Sequence, residues 1–152
     1  MRRLDDDALG GPGRAGLPLP EYQTAGAAGF DLAAALADGE VVTLKPHEVA
    51  LIHTGFAMQI PAGFEGQIRP RSGMALKHQI IPINSPGTID IDYAGPVMIA
   101  AYNAGVEPFT ITRGMRIAQM VICPVVTAII EETTEVAPAT ARGVGGFGST
   151  GT

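Results

Sequence analysis

The chain has 152 residues, 46% of them apolar and 16% charged, with a formal charge of −5. That length is one domain's worth and enough to bury a core, and the composition is too apolar and too weakly charged for disorder. The acidic balance argues against a nucleic-acid or anionic-membrane partner, and no apolar run reaches the ~18 residues of a membrane span. Residues 1–16, which include Gly10, Gly11, Pro12, Gly13 and Gly16, read as an irregular leader without the apolar stretch of a signal peptide. Residues 17–137 read as an all-β body. Val41–Leu44, Val49–Ile60, Phe64–Ile68, Ile80–Ile83, Val97–Asn103, Phe109–Ile111 and Ile117–Ile130 are rich in β-branched and aromatic residues, and Gly, Pro and Asn punctuate them. Short strands at this spacing predict a sandwich or barrel rather than a parallel sheet. The single predicted helix, Ser72–His78, opens on Ser72 as a cap and continues through Met74, Ala75, Leu76 and Lys77. The alanine-rich run Ala33–Ala37, set between Gly29 and Asp38-Gly39, is predicted to be extended or irregular. Residues 138–152 begin with Pro138 and carry five Gly within 143–151, which predicts a flexible arm.

Five polar or Gly-rich clusters interrupt the apolar pattern. The first is Ala28-Gly29-Phe30-Asp31-Leu32, where Asp31 reads as a turn or cap residue. In the second, Arg69-Pro70-Arg71-Ser72-Gly73, a cation stands where a helix begins, which suits either an anion or a plain capped helix with solvated arginines. The third, Asn84 to Gly95, reads as a hairpin with Pro86-Gly87 at its tip; Asp90 and Asp92 then share a face, as a carboxylate pair or as a polar edge. The fourth, Arg113 to Gln119, sets Arg116 and Gln119 in an apolar strand, where each needs a partner or solvent. The fifth, Arg142 to Gly151, contains a GxGxxG spacing. No strand precedes it, no helix follows it and no Lys stands before Ser149, so neither dinucleotide-binding nor Walker A geometry is available. What remains is an arm with a cation, an aromatic ring and two hydroxyls. Eight Arg against two Lys add a weak preference for phosphate, because the guanidinium fork matches phosphate oxygens. His47, His53, His78 and Cys123 have no metal-ligand spacing, and the lone cysteine fits a reducing, cytoplasmic setting.

Taken in order, these clusters resemble the five motifs of the homotrimeric deoxyuridine triphosphatases (dUTP diphosphatases). AGFDL, RPRSGMA, NSPGTIDIDYAG, GMRIAQM and RGVGGFGSTG match one after another from about Leu17 to Thr150. Met74 stands where Leu is common and Gln79 where Gly is usual. The resemblance implies a distorted, jelly-roll-like β-barrel protomer and a homotrimer with three sites, each shared between chains. It implies cleavage of dUTP to dUMP and pyrophosphate by water attack on the α-phosphorus. That reaction supplies dUMP for thymidylate synthesis and keeps uracil out of DNA. By the same resemblance Asp90 is the general base, and Asn84, Thr88, Ile89, Tyr93 and Met98 form the nucleoside pocket, with Tyr93 against the deoxyribose. Arg71, Ser72, Gly73 and Gln119 bind phosphate. Arg142, Gly148, Ser149 and Thr150 close over the phosphates, and Phe147 covers the uracil. Mg²⁺ rides on the triphosphate, with Asp31 reaching it through water. Two other readings share the fold class. A dCTP deaminase needs a Glu soon after the tyrosine-bearing segment, and Gly95–Val106 contains neither Glu nor Asp. A non-catalytic nucleotide-binding module is disfavoured by the intact Asp90, Arg71 and Gln119.

Overall fold

Alternation of buried and exposed positions along short apolar segments builds this molecule. The segment Pro96–Asn103 is the plainest case: every second side chain, Val97, Ile99, Ala101 and Asn103, is buried, as period two demands of a strand with one face on a core. The computed structural model describes residues 1–134. Within them the strands are β1 (Arg2–Arg3), β2 (Gly29–Ala33), β3 (Val41–Leu44), β4 (Val49–Ala57), β5 (Phe64–Arg69), β6 (Ile80–Pro82), β7 (Gly87–Ile89), β8 (Pro96–Asn103), β9 (Phe109–Thr112) and β10 (Arg116–Pro124). One helix, α1 (Ser72–His78), lies between β5 and β6. The strands form two four-stranded sheets, ordered β1-β4-β8-β6 and β2-β10-β5-β7, and a two-stranded β3-β9 ribbon. All pairings are antiparallel. One core cluster draws Ile52 and Ile99 from the first sheet and Ile68, Ile117 and Met120 from the second. Burying such a side chain fully contributes about 1.5–3 kcal/mol, so this layer dominates stability. The side chains of the two buried polar residues are bonded: Asn103 Nδ2 donates to the carbonyls of Leu44 (3.0 Å) and Glu107 (2.8 Å), and the Thr54 hydroxyl donates to that of Val97 (2.7 Å). The all-β, jelly-roll-like class with one short helix is therefore the fold of this chain.

Five local expectations change. The strand expected over Ile117–Ile130 ends at Pro124; the Val125 amide still donates to the Gly63 carbonyl at 2.9 Å, and beyond it Val126, Ile129 and Ile130 are almost fully exposed. Val49–Ile60 keeps its strand only to Ala57, after a register shift that begins at His53. Ser72 does not cap α1: Arg71 holds the cap position in extended conformation, and no side chain bonds the first turn. The segment Asn84 to Gly95 is not a paired hairpin. β6 joins β8 in one sheet and β7 joins β5 in the other, so the turn between them crosses from sheet to sheet, and Asp90 to Ala94 lie beyond the strand. The leader is not wholly irregular: Arg2–Arg3 pairs with Phe56 and Ala57 of β4, while Leu4 and Leu9 are buried against Ala57. The arm at 138–152, with Arg142, Phe147, Gly148, Ser149 and Thr150, lies outside the described residues.

Candidate active site

The crossing segment shapes a cavity of about 240 Å³ on the outer face of the first sheet. Its walls are Asn84, Thr88, Ile89, Asp90, Tyr93 and Met98, with Leu51, Pro96 and Ala100 completing them. Strand alternation puts them there. Ile52, Val97, Ile99 and Ala101 take the core face of β4 and β8, so Leu51, Met98 and Ala100 face outward. Gly87 lets the Asn84 side chain lie along the turn: a Cβ at that position would sit 2.8 Å from Asn84 Nδ2. The Tyr93 hydroxyl donates to the Pro96 carbonyl at 2.8 Å, and the Tyr93 amide donates to the Asp90 carbonyl at 3.2 Å, which closes the Asp90–Tyr93 turn. Asp90 and the five residues expected in a nucleoside pocket thus line one cavity, and among the described residues Asp90 is its only acid.

A second depression, of about 480 Å³, opens on the outer face of the other sheet. Gln67, Arg69, Pro70, Ser72 and Gln119 line it, with Ser85 and Pro86 from the crossing turn. Here too alternation decides the facing: Ile68, Ala118 and Met120 point to the core, so Gln67, Arg69 and Gln119 point away from it. Gln119 Nε2 donates to the Pro70 carbonyl at 2.8 Å, which ties β10 to the start of α1. Arg69 Nε donates to Gln67 Oε1 at 2.9 Å. Gly73 is exposed at the helix start, and a side chain there would meet open space.

Arg71 stands beside this depression rather than in its wall, because Asp31 holds it. Arg71 Nε lies 2.6 Å from Asp31 Oδ1 and Arg116 Nη1 lies 3.0 Å from Asp31 Oδ2, while Arg71 Nη1 donates to the Arg116 carbonyl at 2.8 Å. One carboxylate therefore gathers two guanidinium groups and leaves a net positive charge. Asp31 sits inside β2, opposite Gln119 of β10, so it is a strand residue and not a turn residue. It also lines a third depression, of about 350 Å³, with Leu17, Pro18, Glu21 and Arg116. Among the described residues no three His, Cys, Asp or Glu side chains cluster as metal ligands. A carboxylate already committed to two arginines but open to a cavity suits a hydrated, phosphate-borne Mg²⁺ approached through water.

Arg69 and Arg116 are the residues of this region that sequence reasoning did not select. Arg116 had left one signal, a charge in an apolar strand. Its partner Asp31 is joined to it only by the antiparallel pairing of β2 with β10.

A family model for dUTPase matches residues 16–151. The chain belongs to the dUTPase family. Over 136 residues it is 60% identical to the deoxyuridine 5'-triphosphate nucleotidohydrolase of Rhizobium rhizogenes strain K84, an alignment that covers 90% of this chain and 86% of that protein. Its fold is similar to that of the Staphylococcus bacteriophage 80alpha dUTPase solved with dUPNHPP, with a TM-score of 0.77, 30% identity and coverage of 89% and 92% of the two chains. It is also similar to a mutant dUTPase from phage phi11 of S. aureus, described for its coordination of a structural Mg(II) ion. There the TM-score is 0.69, with 27% identity over 78% of this chain and 91% of the other. In this dUTPase-family chain the cavity around Asp90 and the depression beside Arg71 share no lining residue: Asn84 and Thr88 of the crossing turn line the first, and Ser85 and Pro86 between them line the second.

Proposed function

We propose that this chain hydrolyses dUTP to dUMP and pyrophosphate, with Asp90 as the base that draws a proton from the attacking water. The supporting observation is the cavity in which Asp90 is the single carboxylate among the described residues, beside Asn84, Thr88, Ile89, Tyr93 and Met98. Asn84 and the turn backbone meet the uracil edge, and Tyr93 lies against the deoxyribose and leaves no space for a 2'-hydroxyl. The water oxygen bonds to the α-phosphorus as the bond to the bridging oxygen breaks, its proton passes to Asp90, and pyrophosphate leaves. Positioning and charge stabilisation supply most of the rate in such a transfer. Arg71, Ser72, Gly73 and Gln119 take the phosphates; Arg142, Gly148, Ser149 and Thr150 close over them, and Phe147 covers the base. Asp31, while holding Arg71 and Arg116 in place, would meet the water shell of a Mg²⁺ brought with the nucleotide, and the ion would offset the phosphate charge. Because the two depressions share no lining residue and the crossing turn stands between them, a complete site takes the Asp90 cavity from one chain and the Arg71 cluster from another. A homotrimer provides that arrangement three times. No helix of the described residues is long and apolar enough to cross a membrane, and we place the protein in the cytoplasm.

Deamination of dCTP needs a carboxylate free to shuttle protons at the base in addition to Asp90, and among the described residues the cavity holds none. The deciding assay is pyrophosphate release from dUTP, dTTP, UTP and dCTP, with ammonia release measured alongside. dUTP alone is expected to be a good substrate. Asp90→Asn is expected to reduce turnover by at least about 10²-fold while nucleotide still binds, the loss typical of a missing general base. Retained turnover in that variant assigns the base elsewhere, and binding without pyrophosphate release by the unaltered protein returns the non-catalytic reading.

A further inference from the structure

The leader before residue 16, where the family match begins, is docked on β4 and lines one cavity with the turn that carries Tyr93. Its strand β1 pairs Arg2 with Ala57, and the Leu4 amide donates to the Gly55 carbonyl at 3.0 Å. Ala57 is in turn paired with Pro96 of β8, whose carbonyl accepts the Tyr93 hydroxyl. One strand pairing therefore separates the leader from the bond that fixes the tyrosine. Gly95 keeps that bond possible, because a Cβ there would lie 2.7 Å from the hydroxyl. On the other side of the turn Met1, Arg2, Met58, Ile91, Asp92 and Tyr93 enclose a cavity of about 420 Å³. Tyr93 thus stands between two cavities, one facing the nucleoside and one roofed by the leader.

The leader is held by a device of its own. Asp6 accepts hydrogen bonds from the amides of Gly13 (2.9 Å), Arg14 (2.9 Å) and Ala15 (2.6 Å). Those donors, Ala15 first and Gly13 next, keep its carboxyl below the usual aspartate range. Arg113 donates to the carbonyls of Arg14 (3.1 Å) and Ala15 (2.6 Å). Leu4 and Leu9 pack with Ala57 in a cluster distinct from the barrel core, which contains no leader residue. The leader can therefore detach without opening that core.

We infer that the docked leader is a positioning element for Tyr93: it braces the Ile91–Ala94 turn and so sets how tightly the pocket closes on the sugar and how strongly it rejects a 2'-hydroxyl. The inference rests on the reading of Tyr93 as the residue against the deoxyribose. A ring that packs on the sugar in both ground and transition states affects KM more than kcat.

The test uses Asp6→Ala, which removes the acceptor of three amides, and deletion of residues 1–9, each in the otherwise full chain. Detachment in Asp6→Ala is read by faster hydrogen exchange of the Leu4 amide. Expected for both is a KM for dUTP raised about fivefold with kcat within about twofold, and a dUTP-over-UTP preference in kcat/KM reduced by a similar factor. Unchanged KM and preference with the leader absent overturn the inference. Tyr93→Ala separates it from the reading beneath it: if that variant discriminates UTP as well as the unaltered protein does, the ring is not at the sugar, and the role assigned to Tyr93 fails regardless of the leader.

Discussion

Asp31 shows how far a residue's chemistry depends on what folding brings beside it. In sequence it is an acid between Phe30 and Leu32; in the fold it is the link between two arginines far along the chain, Arg71 and Arg116. Motif resemblance supplied a role for Asp31 and Arg71. Arg116 stood out in sequence only as a charge in need of a partner, because a cross-strand neighbour leaves no trace in local spacing. His53 has the reverse character, a side chain without sequence significance that becomes distinctive when packed. Its Nδ1 is buried with no hydrogen-bond partner among the described residues. Burial, reinforced by the nearby positive charge of Arg14, holds its pKa below the ordinary 6.5. The sign of the consequence follows from linkage. The unfolded chain takes up a proton as pH falls through 6.5 while the folded chain stays neutral, so this group's contribution is complete above that pH and declines below it. Chemical denaturation from pH 8 to pH 5 is expected to show stability falling below about pH 6.5 in the unaltered protein, with a shallower fall in His53→Gln. Identical slopes for the two proteins would exclude His53 as the source.

At the scale of elements, local signals located the pieces and long-range pairing decided how they joined. Val41–Leu44 and Ser72–His78 emerge with the limits read from sequence, because turn formers bracket the one and good helix formers fill the other. The Asn84 to Gly95 segment carries equally strong turn chemistry, yet its flanking strands join different sheets, a choice made by partners distant in sequence. Val125 to Ile130 has strand-forming composition and no strand partner within the described chain. The end of α1 holds a smaller conflict between sequence and geometry. Gln79, where Gly is usual in the resembling family, adopts the left-handed conformation at φ 54°, with its amide bonded to the Ala75 carbonyl at 3.2 Å. Left-handed backbone costs an L-residue roughly 1–2 kcal/mol, part of which glycine returns through the entropy of the unfolded chain. Gln79→Gly is therefore expected to raise unfolding free energy by about 0.5–1 kcal/mol in denaturant titration. A loss of stability would mean that the Gln79 side chain, which lies beside Gly105, contributes more by packing than the backbone loses.

For the whole molecule, period-two alternation has a functional consequence. Leu51, Met98 and Ala100 of the Asp90 cavity point away from the core on the first sheet, and Gln67, Arg69 and Gln119 beside Arg71 do so on the second, whose edge strand β7 reaches the cavity through Thr88 and Ile89. The sequence motifs named the participants of both groups without indicating that one protomer separates them, since facing is a property of the sheets and not of the motifs. In the proposed shared site, a triphosphate engaged by Asp90 of one chain is held by Arg71 of another. Mixed assemblies test this directly. Asp90→Asn and Arg71→Ala chains, each nearly inactive alone, are refolded together in equal amounts and assayed for pyrophosphate release from dUTP. If chains mix at random, about one site in four combines an intact Asp90 with an intact Arg71, so roughly a quarter of the unaltered activity is expected to return. Co-refolded chains shown to share assemblies but no more active than either variant alone would contradict the shared site.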